Sequence, residues 1–245
     1  MEENSVILIS AVFLVAGFGK GVTGMGLPTF SMALLGMMMP TAAAAALMIL
    51  PSLATNLAQC MGPNFRSLVR RFWPMWLVMA LATIFSPFPG LGAADNLSRV
   101  ALGAILVAYA VWGLVRPSLP DLSQGARFHG VVAGAVTGIV TATTGVFVMP
   151  MVPYLQCQQL QKDELIQALG LGFTVATIAL AIRLGSVGAA PRVADTWVVA
   201  AILLAVFVGL WAGTALRKYL SPLVFQRLLY GVFLFLGSIM LWRSV

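Results

Sequence analysis

Acidic side chains are scarce, with seven Asp and Glu among 245 residues against 14 Lys and Arg. Those seven (Glu2, Glu3, Asp95, Asp121, Asp163, Glu164 and Asp195) fall in loops or at helix ends, so no apolar span holds a carboxylate for a proton relay. Histidine occurs once, as His129, which rules out a histidine metal cluster and leaves a catalytic triad without partners. Cys60 and Cys157 make no CxxC pair and read as small packing residues near helix ends. No P-loop, HExxH or GxSxG occurs, and Gly17-x-Gly-x-Gly follows no soluble strand. The run Met37-Met-Met39 faces three directions on a helix and serves as apolar filler. No catalytic residue, no metal and no cofactor are therefore expected.

Apolar residues are what the chain has. They make up 60% of it, charged residues 9%, and the mean hydropathy is +0.99. Such values belong to an all-α polytopic membrane protein. The net charge of +7 is scattered between apolar runs, so a nucleic-acid partner is not expected. The acidic start Met1-Glu-Glu-Asn4 lacks the basic flank of a cleaved signal peptide, and the apolar run behind it is expected to remain.

Six stretches of about 20 residues suit full crossings: 42–60, 72–88, 98–115, 164–183, 195–215 and 223–242. Two others, 5–39 and 129–156, are interrupted. Their breaks are Gly17-Phe-Gly-Lys-Gly-Val-Thr-Gly-Met-Gly-Leu-Pro28 and Gly134-Ala-Val-Thr-Gly-Ile-Val-Thr-Ala-Thr-Thr-Gly145. Each half is then about 13 to 16 residues, suited to a re-entrant hairpin, with tilted full crossings as the alternative. A shift of 119 positions places Gly19 on Gly138, Gly26 on Gly145 and Thr55 on Thr174. The chain thus reads as transmembrane repeat 1 over 1–115, a cytoplasmic linker over 116–128 and transmembrane repeat 2 over 129–245.

Each repeat crosses an odd number of times, so the two are expected to be inverted. With the N-terminus outside, nine of the 14 basic residues lie inside, among them Arg66, Arg70, Arg71, Lys162 and Arg227. Arg99, Arg183, Arg192 and Arg243 lie outside. This bias fits a bacterial inner membrane with both termini periplasmic.

Lys20 is the one basic residue within an apolar segment, and no carboxylate faces it there. It reads either as an attractor for an anion or as a side chain that snorkels or holds helix-end carbonyls. Half-helices beginning near Gly26 and Gly145 would aim backbone N–H groups at the midplane, with Thr23, Thr141, Thr143 and Thr144 at the same level. Ser52, Thr55, Asn56 and Gln59 share one helical face, with Gln167 and Thr174 as counterparts in the second half. Ligand contact and interhelical bonding both suit that face. The candidate substrate residues are Lys20, Thr23, Gly24, Met25, Gly26, Asn56, Gln59, Thr141, Thr143, Thr144, Gly145 and Thr174.

The breaks, the Pro51-Ser-Leu-Ala-Thr-Asn56 run and the Lys162–Thr174 segment resemble the sulfite exporter TauE/SafE family over nearly the whole chain. Many members carry consecutive glycines followed by a proline. Here Ser31 stands where the first proline would fall, whereas Pro150 fits the second. The resemblance implies two four-helix repeats and export of a small sulfur-containing anion, sulfite or an organosulfonate such as sulfoacetate. The expected mechanism is alternating access by rocking of one repeat against the other. The expected partners are that anion and the lipid bilayer, with a homodimer left open. An anion channel, a permease for a carboxylate or other small anion, and an intramembrane enzyme or cofactor-binding subunit are the alternatives.

Overall fold

The computed structural model describes residues 3–91, 95–115, 126–186, 196–217, 219 and 221–243. Most of the expected linker, together with Arg116, Asp121, Arg192, Asp195 and Lys218, lies outside the described residues. Ten helices and no strand occur among the described ones. In chain order they are α1 (Glu3–Thr23), α2 (Leu27–Leu35), α3 (Thr41–Cys60), α4 (Phe65–Ile84), α5 (Asp95–Val115), α6 (Ala126–Thr144), α7 (Met151–Gln156), α8 (Lys162–Ser186), α9 (Thr196–Leu216) and α10 (Pro222–Trp242). Six of them, α1, α3, α5, α8, α9 and α10, are long and apolar enough to cross a membrane. This is an all-helical multi-pass membrane architecture.

The interrupted segments differ from expectation. Their two parts are unequal: 21 and 9 residues in the first, 19 and 6 in the second. The first part is a full-length helix each time, because Gly17–Gly21 and Gly134–Gly138 stay helical. Chain reversal falls later, at Gly24 and Gly145, where φ is +81° and +72°. A side chain is strained in that region, and glycine is not. Thr23 and Thr144 finish the two helices alike. Each hydroxyl bonds the carbonyl one turn back (Gly19 at 2.8 Å, Val140 at 2.7 Å) and accepts the N–H of Met25 or Val146. Gly26, at φ +104°, and Pro28 then start α2, since proline has no N–H to leave unpaired in a first turn. The expected crossing at 72–88 falls on α4, which begins earlier, at Phe65, carries Arg66, Arg70 and Arg71 on its first turns and is not among the six apolar crossings.

Four helix pairs hold the bundle together: α1 with α9, α4 with α6, α5 with α10, and α3 with α8. Each joins the first half of the chain to the second. Glycine makes these close approaches possible. A Cβ on Gly17 would lie 2.4 Å from the carbonyl oxygen of Val206, and one on Gly134 would lie 2.3 Å from that of Met75. Gly103 and Gly237 face each other across α5 and α10 in the same way. Outward, α9 and α10 expose Leu204, Trp211, Leu228 and Phe235, a surface suited to lipid.

Polar links tie the ends. Asp95 Oδ1 accepts the backbone N–H and the hydroxyl of Thr41, both at 2.9 Å, capping α3 from the start of α5. Arg183, near the end of α8, donates to the carbonyls of Ile84 and Ser86 at 3.1 Å, where α4 stops. At the opposite end Arg71 donates to the carbonyl of Gln158 at 3.2 Å and to its Oε1 at 3.1 Å.

Candidate functional site

Lys20 lies on the last turn of α1 and is 2% exposed. Its ammonium donates to Thr55 Oγ1 at 3.0 Å and to Asn56 Oδ1, both on α3. No ion pair involves it among the described residues, where the one salt bridge joins Arg99 to Asp95. Two neutral oxygens compensate an ammonium only in part. Burying an unpaired ion costs several kcal/mol on the order-of-magnitude scale, so this position favours an arriving negative charge.

The surroundings of Lys20 are polar and incompletely paired. Asn56 is fully buried, and with Oδ1 taken by Lys20 its Nδ2 has no partner among the described residues. One turn along α3, Gln59 Nε2 donates to the carbonyl of Gly24 at 2.7 Å, leaving Gln59 Oε1 buried without a partner. Ser52 Oγ, one turn the other way, is likewise buried and unpaired among the described residues. Ser52, Asn56 and Gln59 share one face at spacings of four and three, as expected from sequence. Buried polar atoms without partners are uncommon in folded proteins, and three on one face beside a buried cation mark a place that can receive a polar ligand.

Of the expected residues, the structure brings together Lys20, Asn56, Gln59, Gly24 and Thr174. Thr174 of α8 joins through Cys60, whose Sγ lies 3.3 Å from Thr174 Oγ1. Gln167 closes the same end, donating to the carbonyl of Cys60 at 2.9 Å and accepting the N–H of Asn64. Thr23, Met25 and Gly26 border a small cavity beside the first break, with Tyr109, Gln226, Tyr230 and Phe233 on its other walls. Tyr109 reaches Met25 Sδ at 3.7 Å and meets Tyr230 edge to face.

Thr141, Thr143, Thr144 and Gly145 are elsewhere. A Cβ on Gly145 would touch Met32 of α2 and Ala45 of α3. Ala45 and Gln59 are fourteen positions apart on α3, or about 21 Å of helical rise. The second break therefore meets α3 about four turns from Gln59, which bonds the first, while Met32, which it also touches, is six positions along α2 from Gly26. Three hydroxyls there are spent within α6: Thr141 on the Thr137 carbonyl, Thr144 on that of Val140, and Thr143 on those of Ile139 and Val140. They offer lone pairs rather than protons.

Sequence reasoning placed Ser52 and Thr55 on the polar face without naming them as site residues, and it missed the aromatic wall. The available signal for the latter was the rarity of tyrosine, with four in the chain, two of them (Tyr109 and Tyr230) inside apolar helices long enough to cross a membrane. A buried phenol needs a partner, which makes such positions worth marking.

The family model described as sulfite exporter TauE/SafE matches residues 9–240, nearly the whole chain. No curated protein and no solved structure matches it.

Proposed function

The chain belongs to the sulfite exporter TauE/SafE family, and on that premise we propose that it exports a small sulfur-containing anion, sulfite or an organosulfonate such as sulfoacetate, across a bacterial inner membrane. The observation that carries this reading is the buried Lys20 ammonium, held by Thr55 and Asn56 with no carboxylate beside it among the described residues. A cation so placed is complementary to an anion that presents several acceptor oxygens.

In this reading Lys20 draws the anion in, and Asn56 and Gln59 complete its shell. Gly24, Met25, Gly26 and Thr23 shape the backbone around it, and Thr174 closes the wall from α8. The second break, with Thr141, Thr143, Thr144 and Gly145, is a further station toward the periplasmic end. Both termini are periplasmic and the two repeats are inverted. Alternating access supplies the turnover. Because the four closest helix pairs all join the halves, the rocking bodies are these cross-half pairs rather than one intact half against the other.

The test is thermal stabilisation of the purified protein by sulfite, thiosulfate, sulfoacetate, taurine, acetate and chloride, in wild type and Lys20→Ala. A ligand of the folded state raises its apparent stability. Stabilisation by a sulfur oxyanion that vanishes in Lys20→Ala is the expected result. Equal response of both proteins to every anion would refute the site.

A further inference from the structure

Two amide side chains sit beside Lys20, and their orientations are fixed by their partners. An ammonium can only donate, so the Asn56 atom that meets Lys20 is the carbonyl oxygen Oδ1. The free end of Asn56 is then its amino group. A backbone carbonyl can only accept, so the Gln59 atom 2.7 Å from the Gly24 oxygen is the amino nitrogen Nε2. The free end of Gln59 is then its carbonyl oxygen. The first orphan is a pure donor and the second a pure acceptor, and both are buried.

On α3 these residues are three apart, so their side chains are neighbours, with Cβ atoms about 5–6 Å from each other. The face beside the cation therefore offers donors from Lys20 and Asn56 and, one turn on, an acceptor from Gln59. A fully deprotonated, acceptor-only anion satisfies the first two and leaves Gln59 Oε1 without a proton. An anion that carries one donor of its own satisfies all three.

We infer that this site selects anions bearing a hydrogen-bond donor next to the charged group, such as hydrogensulfite or a hydroxyalkanesulfonate, over acceptor-only sulfonates of the same size. The preference rests on the anion-site reading above and narrows it, ranking acceptor-only sulfoacetate below hydrogensulfite and hydroxylated sulfonates. Ser52 Oγ, also buried and unpaired among the described residues, extends the same face with a group that donates or accepts.

The test compares 2-hydroxyethanesulfonate with ethanesulfonate, two monoanions that differ by one hydroxyl, by calorimetric titration of the full-length purified protein. One added hydrogen bond to a buried, otherwise unpaired acceptor predicts about five- to tenfold tighter binding of the hydroxylated anion. Gln59→Leu is expected to narrow that ratio toward one. Equal affinity of the two anions for the wild type, with both weakened in Lys20→Ala, overturns the donor requirement and leaves the anion site standing. Binding of neither sulfonate, together with no response to sulfite, overturns the anion site and this inference with it. The wild-type comparison stands by itself if the Gln59 variant does not fold.

Discussion

Gly17 of α1 lies directly on the backbone of Val206 in α9, and a methyl group there would come within 2.4 Å of the carbonyl oxygen. Gly21 stands in the same relation to Leu210, one turn on. Seen from the other helix, Gly209 and Gly213 face the carbonyls of Leu14 and Phe18. Four glycines at a spacing of four thus zip two helices from opposite halves of the chain. Gly134 and Gly138 of α6 do the same against Met75 and Met79 of α4.

Gly17→Ala should therefore destabilise the purified protein, because backbone, unlike a flexible side chain, cannot yield cheaply. Overpacking of this kind costs about 1–3 kcal/mol. Gly231→Ala in α10 is the control, since nothing lies within 4 Å of its added Cβ. Alanine is the better helix former by about 1 kcal/mol, so this variant should match or exceed wild type. Thermal unfolding in one detergent checks both. An unchanged midpoint for Gly17→Ala would mean that the α1–α9 seam is looser than described.

The same glycines explain what was and was not legible in the sequence. Hydropathy located five of the six apolar crossings, and the turning points at Gly24–Gly26 and Gly145 were visible as glycines amid apolar residues. The glycine pattern predicts a break from Gly17 onward, yet Gly17–Gly21 is helical. Glycines four apart suit close helix packing as well as a break, and only the helix that lies opposite decides between them. Cross-half pairing was hidden for the same reason, because apolar faces name no partner. Lys20 was visible as an isolated charge. Its anchoring on Thr55 and Asn56, more than thirty positions away, depends on how α1 crosses α3.

The pairing of Lys20 with Asn56 predicts opposite effects for a single and a double substitution. Asn56→Leu alone leaves a buried ammonium short of an acceptor and should lower stability by about 1–3 kcal/mol. Replacing both partners, as Lys20→Met with Asn56→Leu, removes the buried charge as well. Exchanging both partners of a buried hydrogen bond for apolar groups is commonly nearly neutral or stabilising. The double variant should melt above Asn56→Leu and carry no anion. A double variant less stable than the single one would assign Lys20 to packing instead of to a ligand.

At the other end, Arg183 bonds the carbonyls of Ile84 and Ser86 and so covers the terminus of α4. The last carbonyls of a helix have no partner within it. Arg183→Ala should cost about 1–3 kcal/mol through the buried acceptors it strands. Arg183→Lys should recover only part of this, because one ammonium cannot reproduce the planar fork that reaches separate oxygens. Full rescue by lysine would show that the charge, and not the fork, holds this end.

Transport itself should follow voltage rather than the proton gradient. The described helices bring no carboxylate to Lys20, and the described acidic residues, Glu3, Asp95, Asp163 and Glu164, lie in the first turns of α1, α5 and α8. A monoanion crossing 100 mV gains about 2.3 kcal/mol, equivalent to an accumulation ratio of about 50-fold. An inside-negative potential alone thus drives the anion outward. In proteoliposomes with a potassium diffusion potential set by valinomycin, flux out of the negative compartment should rise with the imposed voltage. It should not change when a protonophore collapses the pH gradient while valinomycin and the potassium gradient hold the voltage fixed. With a sulfonate as substrate, whose charge does not change near neutral pH, flux that tracks the pH gradient at constant voltage would require a titrating group in the path. Lys20 is the charged side chain placed there, and transport by Lys20→Arg, which keeps its charge throughout the accessible pH range, would then lose that pH-gradient dependence.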